Sequence, residues 1–285
     1  TTDFDVYRVN GVSDQRGQLQ MQWDRPFHNS WGQQFLVTAR LDSNIYRSTR
    51  SYQQPLYYSA QGTKFTGQVL PTIAVKMNWP FLRSFAHGRG SQIFEPIVQA
   101  IAAPNTGNSS NSYMPNEDSL TYEFTDTTLF SLNRYNGTDR LDGGLRANVG
   151  VHQNWVWNGH TIDMLVGESF QEHVTHNRIP YSGLDHHLSD PVGRLRISPN
   201  QYVDVTARGR YNPWTRQLDY GEGLVSTGIP ALRFTAGYIY APVTPYYYYA
   251  TNYRTNGVNT PYTVKTNEIT GGVSTHWRQY HASGF

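Results

Sequence analysis

The chain has 285 residues, a formal net charge of +2, 21 Tyr, 7 Trp and no Cys, and only 15% of its residues are charged, against about 25% in an ordinary soluble domain. The small, evenly spread positive excess excludes a nucleic-acid groove, and the lack of cysteine excludes a disulfide framework and any Cys-based metal site or nucleophile. No apolar run reaches the ~18 residues of a transmembrane helix, which leaves open a membrane-spanning β-barrel, whose strands hide lipid-facing residues at every second position.

The N-terminal "TTDFDVYRVN" carries neither a basic n-region nor an apolar h-region. In "GQLQMQW" the apolar Leu19, Met21 and Trp23 alternate with Gln18, Gln20 and Gln22, giving a strand with one apolar and one amide face. "QFLVTARLD" (34–42) and "KFTGQVLPTIAVKMNW" (64–79) continue the period, the second long enough to cross a bilayer at about 9–11 residues per tilted span. Pro71 removes one ladder donor from it, which places this strand at an edge or seam, or gives it a bulge. "SQIFEPIVQAIAA", with Pro96 in its middle, reads equally well as a weak helix or a buried strand.

Beyond a polar loop at 103–119 comes "NRYNGTDRLDGGLRANVG" (133–150), rich in charge and glycine. The clearest hairpin follows it. Leu145, Ala147, Val149, Val151, Gln153, Trp155 and Trp157 share a face, Asn158-Gly159 makes the turn, and Ile162, Met164, Val166 and Phe170 share a face on the return. Tryptophans beside a turn suit the level of the lipid headgroups. After a loop at 177–191, strands are expected at 201–212, 215–227 and 231–242. The sum is roughly ten to twelve strands, an all-β, antiparallel up-and-down transmembrane β-barrel with short connections on one side and long ones on the other.

Candidate chemistry is sparse. His173, His176, His186 and His187, with Glu172 and Asp185, are residue types that hold zinc, but they sit in strand and loop without helical spacing and read as a solvated loop. No phosphate-binding glycine loop and no GxSxG elbow is complete, and the expectation is a chain with no catalytic residue, metal or cofactor.

Taken in order, "IFEPIVQ" (93–99), "PNEDS" (115–119) and "EFTDTTLFSLNRYNGTDRLDGGLRANVG" (123–150), with "QWDRPF" (22–27) upstream, resemble the central barrel signature of the LptD family, once called the organic-solvent-tolerance proteins. The resemblance implies a large barrel in the outer membrane of a Gram-negative bacterium that performs no covalent chemistry. It further implies insertion of lipopolysaccharide into the outer leaflet through a lateral gate between the first and last strands. The partners implied are an LptE-like lipoprotein plug, a periplasmic lipopolysaccharide-bridge protein acting through a β-jellyroll domain, lipopolysaccharide itself and outer-membrane lipid, with no nucleic acid. Against that pattern, residues 1–285 are expected to be a partial transmembrane barrel domain, a fragment without the N-terminal jellyroll.

Within this frame Glu95, Glu123, Asp139, Arg140, Asp142 and Arg146 are the candidate binding residues, either contacting sugar and phosphate or folding a loop against the barrel wall through paired charges. Glu117 and Asp118 read as partners of such arginines, and Pro71 and Pro96 as gate or bulge positions. Two other classes share the composition: a general porin, which would show rows of opposite charge at a constriction, and a soluble carbohydrate-binding β-sandwich.

Overall fold

A computed structural model describes residues 13–49, 64–105, 118–119, 124–173, 181–229, 231–242, 265–277 and 280–284. It consists of β1 (Ser13–His28), β2 (Gln34–Thr49), β3 (Lys64–Asn78), β4 (Phe81–Phe85), β5 (Gly90–Ala103), β6 (Gly144–Trp157) and β7 (His160–Gln171). These are followed by β8 (Val192–Asn200), β9 (Val203–Asn212), β10 (Gln217–Ile229), β11 (Leu232–Ala241), β12 (Thr266–Trp277) and β13 (Tyr280–Gly284). All belong to one antiparallel sheet in sequential order, with β4 also pairing β5. Among the described residues the strands form a single meander with no second sheet, which is not a β-sandwich.

The alternation in the sequence becomes two faces of unlike chemistry. Leu19, Met21, Trp23, Phe65, Val69, Ile73, Leu145, Val149, Val166, Phe234 and Tyr238 point outward and are exposed, while Thr38, Asp42, Asn44, Tyr46, Gln99, Asn148, Ser169 and Arg210 are buried on the other side. Exposed leucine and phenylalanine beside buried aspartate and arginine invert a soluble protein's habit. The inversion is what a barrel in lipid requires, since the bilayer covers the apolar face and the enclosed side stays wet. Among the described residues no helix is long and apolar enough to cross a membrane.

Connections alternate in length. At one end β1 passes to β2 at 29–33, β4 to β5 at 86–89, β6 to β7 at 158–159, β8 to β9 at 201–202, β10 to β11 at 230–231 and β12 to β13 at 278–279; at the other the linking ranges are 50–63, 104–143, 172–191 and 242–265, with one short link at 213–216. Asn158 and Gly159 both have positive φ (46° and 83°), the backbone of a two-residue hairpin turn of the mirror-image kind. Aromatic rings gather at the short-turn end, where Phe27 stacks on Phe35 at 4.9 Å, Trp79 meets Phe81 at 4.9 Å and Trp157 meets His160 at 5.5 Å. Such a girdle sits at a membrane interface, where a ring body is apolar and its tip is wet.

The prolines leave the strand register unbroken. "SQIFEPIVQAIAA" is strand throughout. β3 and β4 are one long strand interrupted at Trp79–Pro80, opposite Glu95–Pro96, and Asn78↔Ile97 and Phe81↔Phe94 keep the same register across the break. Pro71 pairs with Leu41 without a register shift, two residues before pairing with β5 begins at Ile73. A bulge at either proline is therefore corrected. Proline removes a donor but inserts no extra residue, so the partner strand keeps step and only the ladder bond is missing. The shifts in register fall instead between Leu218 and Tyr220 and between Ile197 and Asn200.

Candidate functional site: a loop folded onto the polar face

The segment joining β5 to β6 returns over the polar face and is bonded to strands on both sides of its origin. Toward the beginning of the sheet, Asp139 accepts from Arg16 of β1 (2.8 Å) and from the Tyr46 hydroxyl of β2 (2.8 Å), and its carbonyl accepts from Gln68 of β3 (3.0 Å). Asn44 of β2 donates to the Thr138 carbonyl (2.6 Å). In the other direction, Arg134 donates to Ser169 of β7 (3.2 Å), and Arg210 of β9 donates to the Phe124 carbonyl (3.3 Å). A sheet held from one face by a single segment, from β1 to β9, must curl around that segment.

Asp118 organises the tip. Its Oδ1 accepts the N–H groups of Thr138 (3.0 Å) and Asp139 (2.9 Å), its Oδ2 pairs with Arg16 (2.5 Å), and its own N–H donates back to Asp139 (3.1 Å). Burial opposes the Asp118 charge, but the N–H of Asp139, the Arg16 guanidinium and Ser119 outweigh it and hold the carboxyl well below the usual carboxylate range. Gly137 is required here, because a Cβ at that position would overlap Asp118.

The base of the segment rests on Asp142, which receives Arg134 Nε at 2.5 Å and is ion-paired with Arg146 of β6. Arg146 also donates to the carbonyls of Ser131 (3.0 Å) and Leu132, and all three charged side chains are buried. Buried ions persist only when paired and hydrogen-bonded, so each member of this triad depends on the others. A chain of side-chain bonds extends the support: Ser169 to Asn148 (2.7 Å), Asn148 to Gln99 (2.8 Å) and Gln99 to the Phe130 carbonyl (3.1 Å).

An apolar knot completes the seat. Phe124, Leu129, Tyr135, Leu184 and Val192 form a buried cluster with Phe130 against it, joining this segment, the 181–190 loop and β8. Each large apolar side chain so buried contributes about 1.5–3 kcal/mol. Gly167 of β7 allows the close approach, since a Cβ there would overlap the Leu129 side chain.

Of the residues singled out from the sequence, Asp139, Asp142 and Arg146 meet in this seat, and Arg140 is buried beside them with its N–H donating to Ser119 Oγ at 3.1 Å. Glu123 and Glu117 lie outside the described residues. Glu95 belongs to a second network along the strands. It accepts from Asn78 (2.8 Å) and lies 3.0 Å from His152 Nδ1, while His152 Nε2 is 2.7 Å from Asp163 and Asp163 pairs with Arg194 at 2.7 Å. Both ring nitrogens of His152 thus face carboxylates. Arg194 and Arg208 flank Asp126 of the seated segment at 3.5 and 3.6 Å, and Arg208 also reaches Glu222 at 3.6 Å. Of this charged row sequence reasoning named only Glu95; the signal for the rest is the placement of arginine on one face in "GRLRI" and "TARGR".

His173 lies 3.7 Å from Glu172, His186 packs on Trp214 at 4.6 Å, His187 is 3.0 Å from the Gln171 carbonyl, and His176 lies outside the described residues. Among the described residues no group of His, Cys, Asp and Glu is placed to hold a metal ion.

An apolar exterior, an aromatic girdle and a polar interior filled from the long-loop end by its own chain define an outer-membrane β-barrel. A family model described as LptD: LPS transport system D matches residues 2–274. The chain belongs to this family of outer-membrane β-barrels that serve lipopolysaccharide transport. No curated protein matches the chain.

Proposed function

We propose that this barrel inserts lipopolysaccharide into the outer leaflet, with the saccharide on its polar face, the acyl chains in lipid, and exit through a lateral gate between the first and last strands of the complete barrel. The observation that carries this reading is the seated 124–142 segment. Long loops of such barrels face outward, so a packed knot of Phe124, Leu129, Tyr135, Leu184 and Val192 at that end opposes axial release. A cargo that is half sugar and half lipid then has sideways departure as its remaining route, since neither half crosses to the other's solvent. No step makes or breaks a covalent bond.

The proposed partners are an LptE-like lipoprotein standing in the lumen and a periplasmic lipopolysaccharide-bridge protein that delivers cargo through a jellyroll domain. The proposed location is the outer membrane of a Gram-negative bacterium. The charged row from Glu95 to Glu222 is the feature a diffusion porin would share, and the family match favours transport over it. Depletion of the protein should stop the appearance of new lipopolysaccharide at the cell surface. A disulfide between the first and last strands should do the same while leaving the barrel assembled. Steady single-channel conductance with normal lipopolysaccharide delivery in the cross-linked form would sink the proposal.

A further inference from the structure

On the polar face of β6–β9 lies a cavity of about 470 Å³ lined by Asn154, Thr161, Asp163, Arg194, Arg196, Ser198, Asp204, Thr206 and Arg208. Three arginines face two aspartates, with hydroxyls and an amide between them. The aspartates are already engaged: Asp163 by His152 and Arg194 at 2.7 Å each, Asp204 by Arg196 and Ser198 at 2.8 Å each. Arg208 is not comparably matched. Its Nε is buried without a hydrogen-bond partner, and its ion pairs to Asp126 and Glu222 are stretched to 3.6 Å.

Asp126 of the seated segment stands 3.5 Å from Arg194 and 3.6 Å from Arg208, only 1% exposed, with neither carboxyl oxygen hydrogen-bonded to another residue. Burial pushes its carboxyl above the usual range, against the pull of Arg208 and Arg194. A countercharge that burial disfavours leaves the arginines in search of an acceptor. Planar guanidinium groups match the tetrahedral oxygens of phosphate, whereas Thr161, Thr206, Ser198 and Asn154 match sugar hydroxyls.

We propose that this cavity is a binding site for a phosphorylated sugar unit, with Arg208 and Arg196 taking the phosphate oxygens. The proposal rests on the reading of the protein as a lipopolysaccharide transporter and adds to it a defined stop for the saccharide on the lumen wall.

The test has two arms. In the first, the full chain in detergent is titrated with phosphorylated core oligosaccharide released from lipopolysaccharide, and with the same material after dephosphorylation. Arg208→Gln should weaken binding of the phosphorylated probe about tenfold and leave the dephosphorylated probe unchanged. Arg40→Gln, on the distant β2 wall, should change neither, and heat-modifiable migration should match the parent in both variants. Equal binding of the two probes, or a lower thermal stability of Arg208→Gln with unaltered binding, overturns the site and makes Arg208 structural. In the second, a photo-crosslinking residue replaces Thr206 or Gln20 in cells. Lipopolysaccharide captured at both positions supports the site. Capture at Gln20 alone overturns the site while the transport reading stands, and capture at neither overturns both.

Discussion

Arg16 and Asp139 lie 123 residues apart in sequence and 2.8 Å apart in space. Their pairing fastens the first strand of the sheet to the tip of the segment between β5 and β6, and Asp139 is the more critical partner because it is buried while Arg16 is well exposed. Solvent screens the Arg16 charge, so Arg16→Gln should loosen the loop only slightly.

Asp139→Ala is different in kind. It strands the Tyr46 hydroxyl and the Asp118 N–H together, a loss of about 2–4 kcal/mol in the docking of the loop. Trypsin should then cut folded protein after Arg134 and Arg140, sites protected in the parent, while the barrel keeps its heat-modifiable migration. Protection that survives in the variant would show that the tip does not depend on Asp139.

At the base of the same segment, Asp142 holds Arg134 and Arg146, and removal of one member of a buried ionic group costs about 3–5 kcal/mol. Asp142→Ala should therefore release the loop more completely than Asp139→Ala. Ranked rates of limited proteolysis test this, and an equal or reversed order refutes the greater weight assigned to the base.

Gly167→Val should unseat the loop without touching any charge. Its side chain would meet the Val149 carbonyl of β6 as well as the Leu129 side chain, so both the loop and the local β6–β7 pairing must give way. The expected result is exposure of Arg134 to trypsin together with faster hydrogen exchange in the local β6–β7 pairing. A loop as protected as in the parent would place Leu129 elsewhere.

Ile73→Arg and Gln20→Arg separate the two faces. Ile73 is 61% exposed on the outer surface, where arginine near the bilayer midplane costs about 2–4 kcal/mol. Gln20 lies on the wet side and hydrogen-bonds Asp42 at 3.0 Å. The first variant should insert poorly into membranes and the second nearly normally; equal insertion would contradict the assignment of faces.

The 181–190 loop should respond to acid in an unusual direction. Burial raises the Asp190 carboxyl from its ordinary 3.8 to about 6, against the opposing pull of Arg210. Between those values the folded loop binds more protons than the unfolded one. Its stability therefore falls as pH rises from about 4 to about 6 and is level above that. Hydrogen exchange at the Ser189 and Asp190 amides, bonded to Ser169 and Gly183 at 2.8 Å each and corrected for intrinsic rates, should show this slope. Asp190→Asn should flatten it, and a slope of opposite sign would mean Asp190 is folded as a carboxylate.

The strand character of 17–23, 34–42, 64–79 and 145–170 is legible because period-two alternation is a local property, fixed by the backbone whatever lies across the sheet. The same property settles which residues share a face, so Leu145 and Val149 are separated from Arg146 and Asn148 before any fold is known. β4, β8 and β12 escape that reading: β4 is a five-residue continuation of β3 behind Pro80, in β8 the pattern of Arg194, Leu195, Arg196 and Ile197 is short and flanked by loop, and in β12 only Ile269, Val273 and Trp277 are large apolar residues. The charge of Asp139, Asp142 and Arg146 is equally plain in the sequence. Their partners are not, because Arg16, Tyr46 and Arg134 are brought to them by a segment that folds back across the sheet, and no local pattern encodes that return. Arg194 and Arg208 likewise become a site only when register sets them side by side. The sequence alone determined the alternating wall and its two solvents; the tertiary structure decided which charges meet, because a curled sheet brings distant strands to one enclosed face.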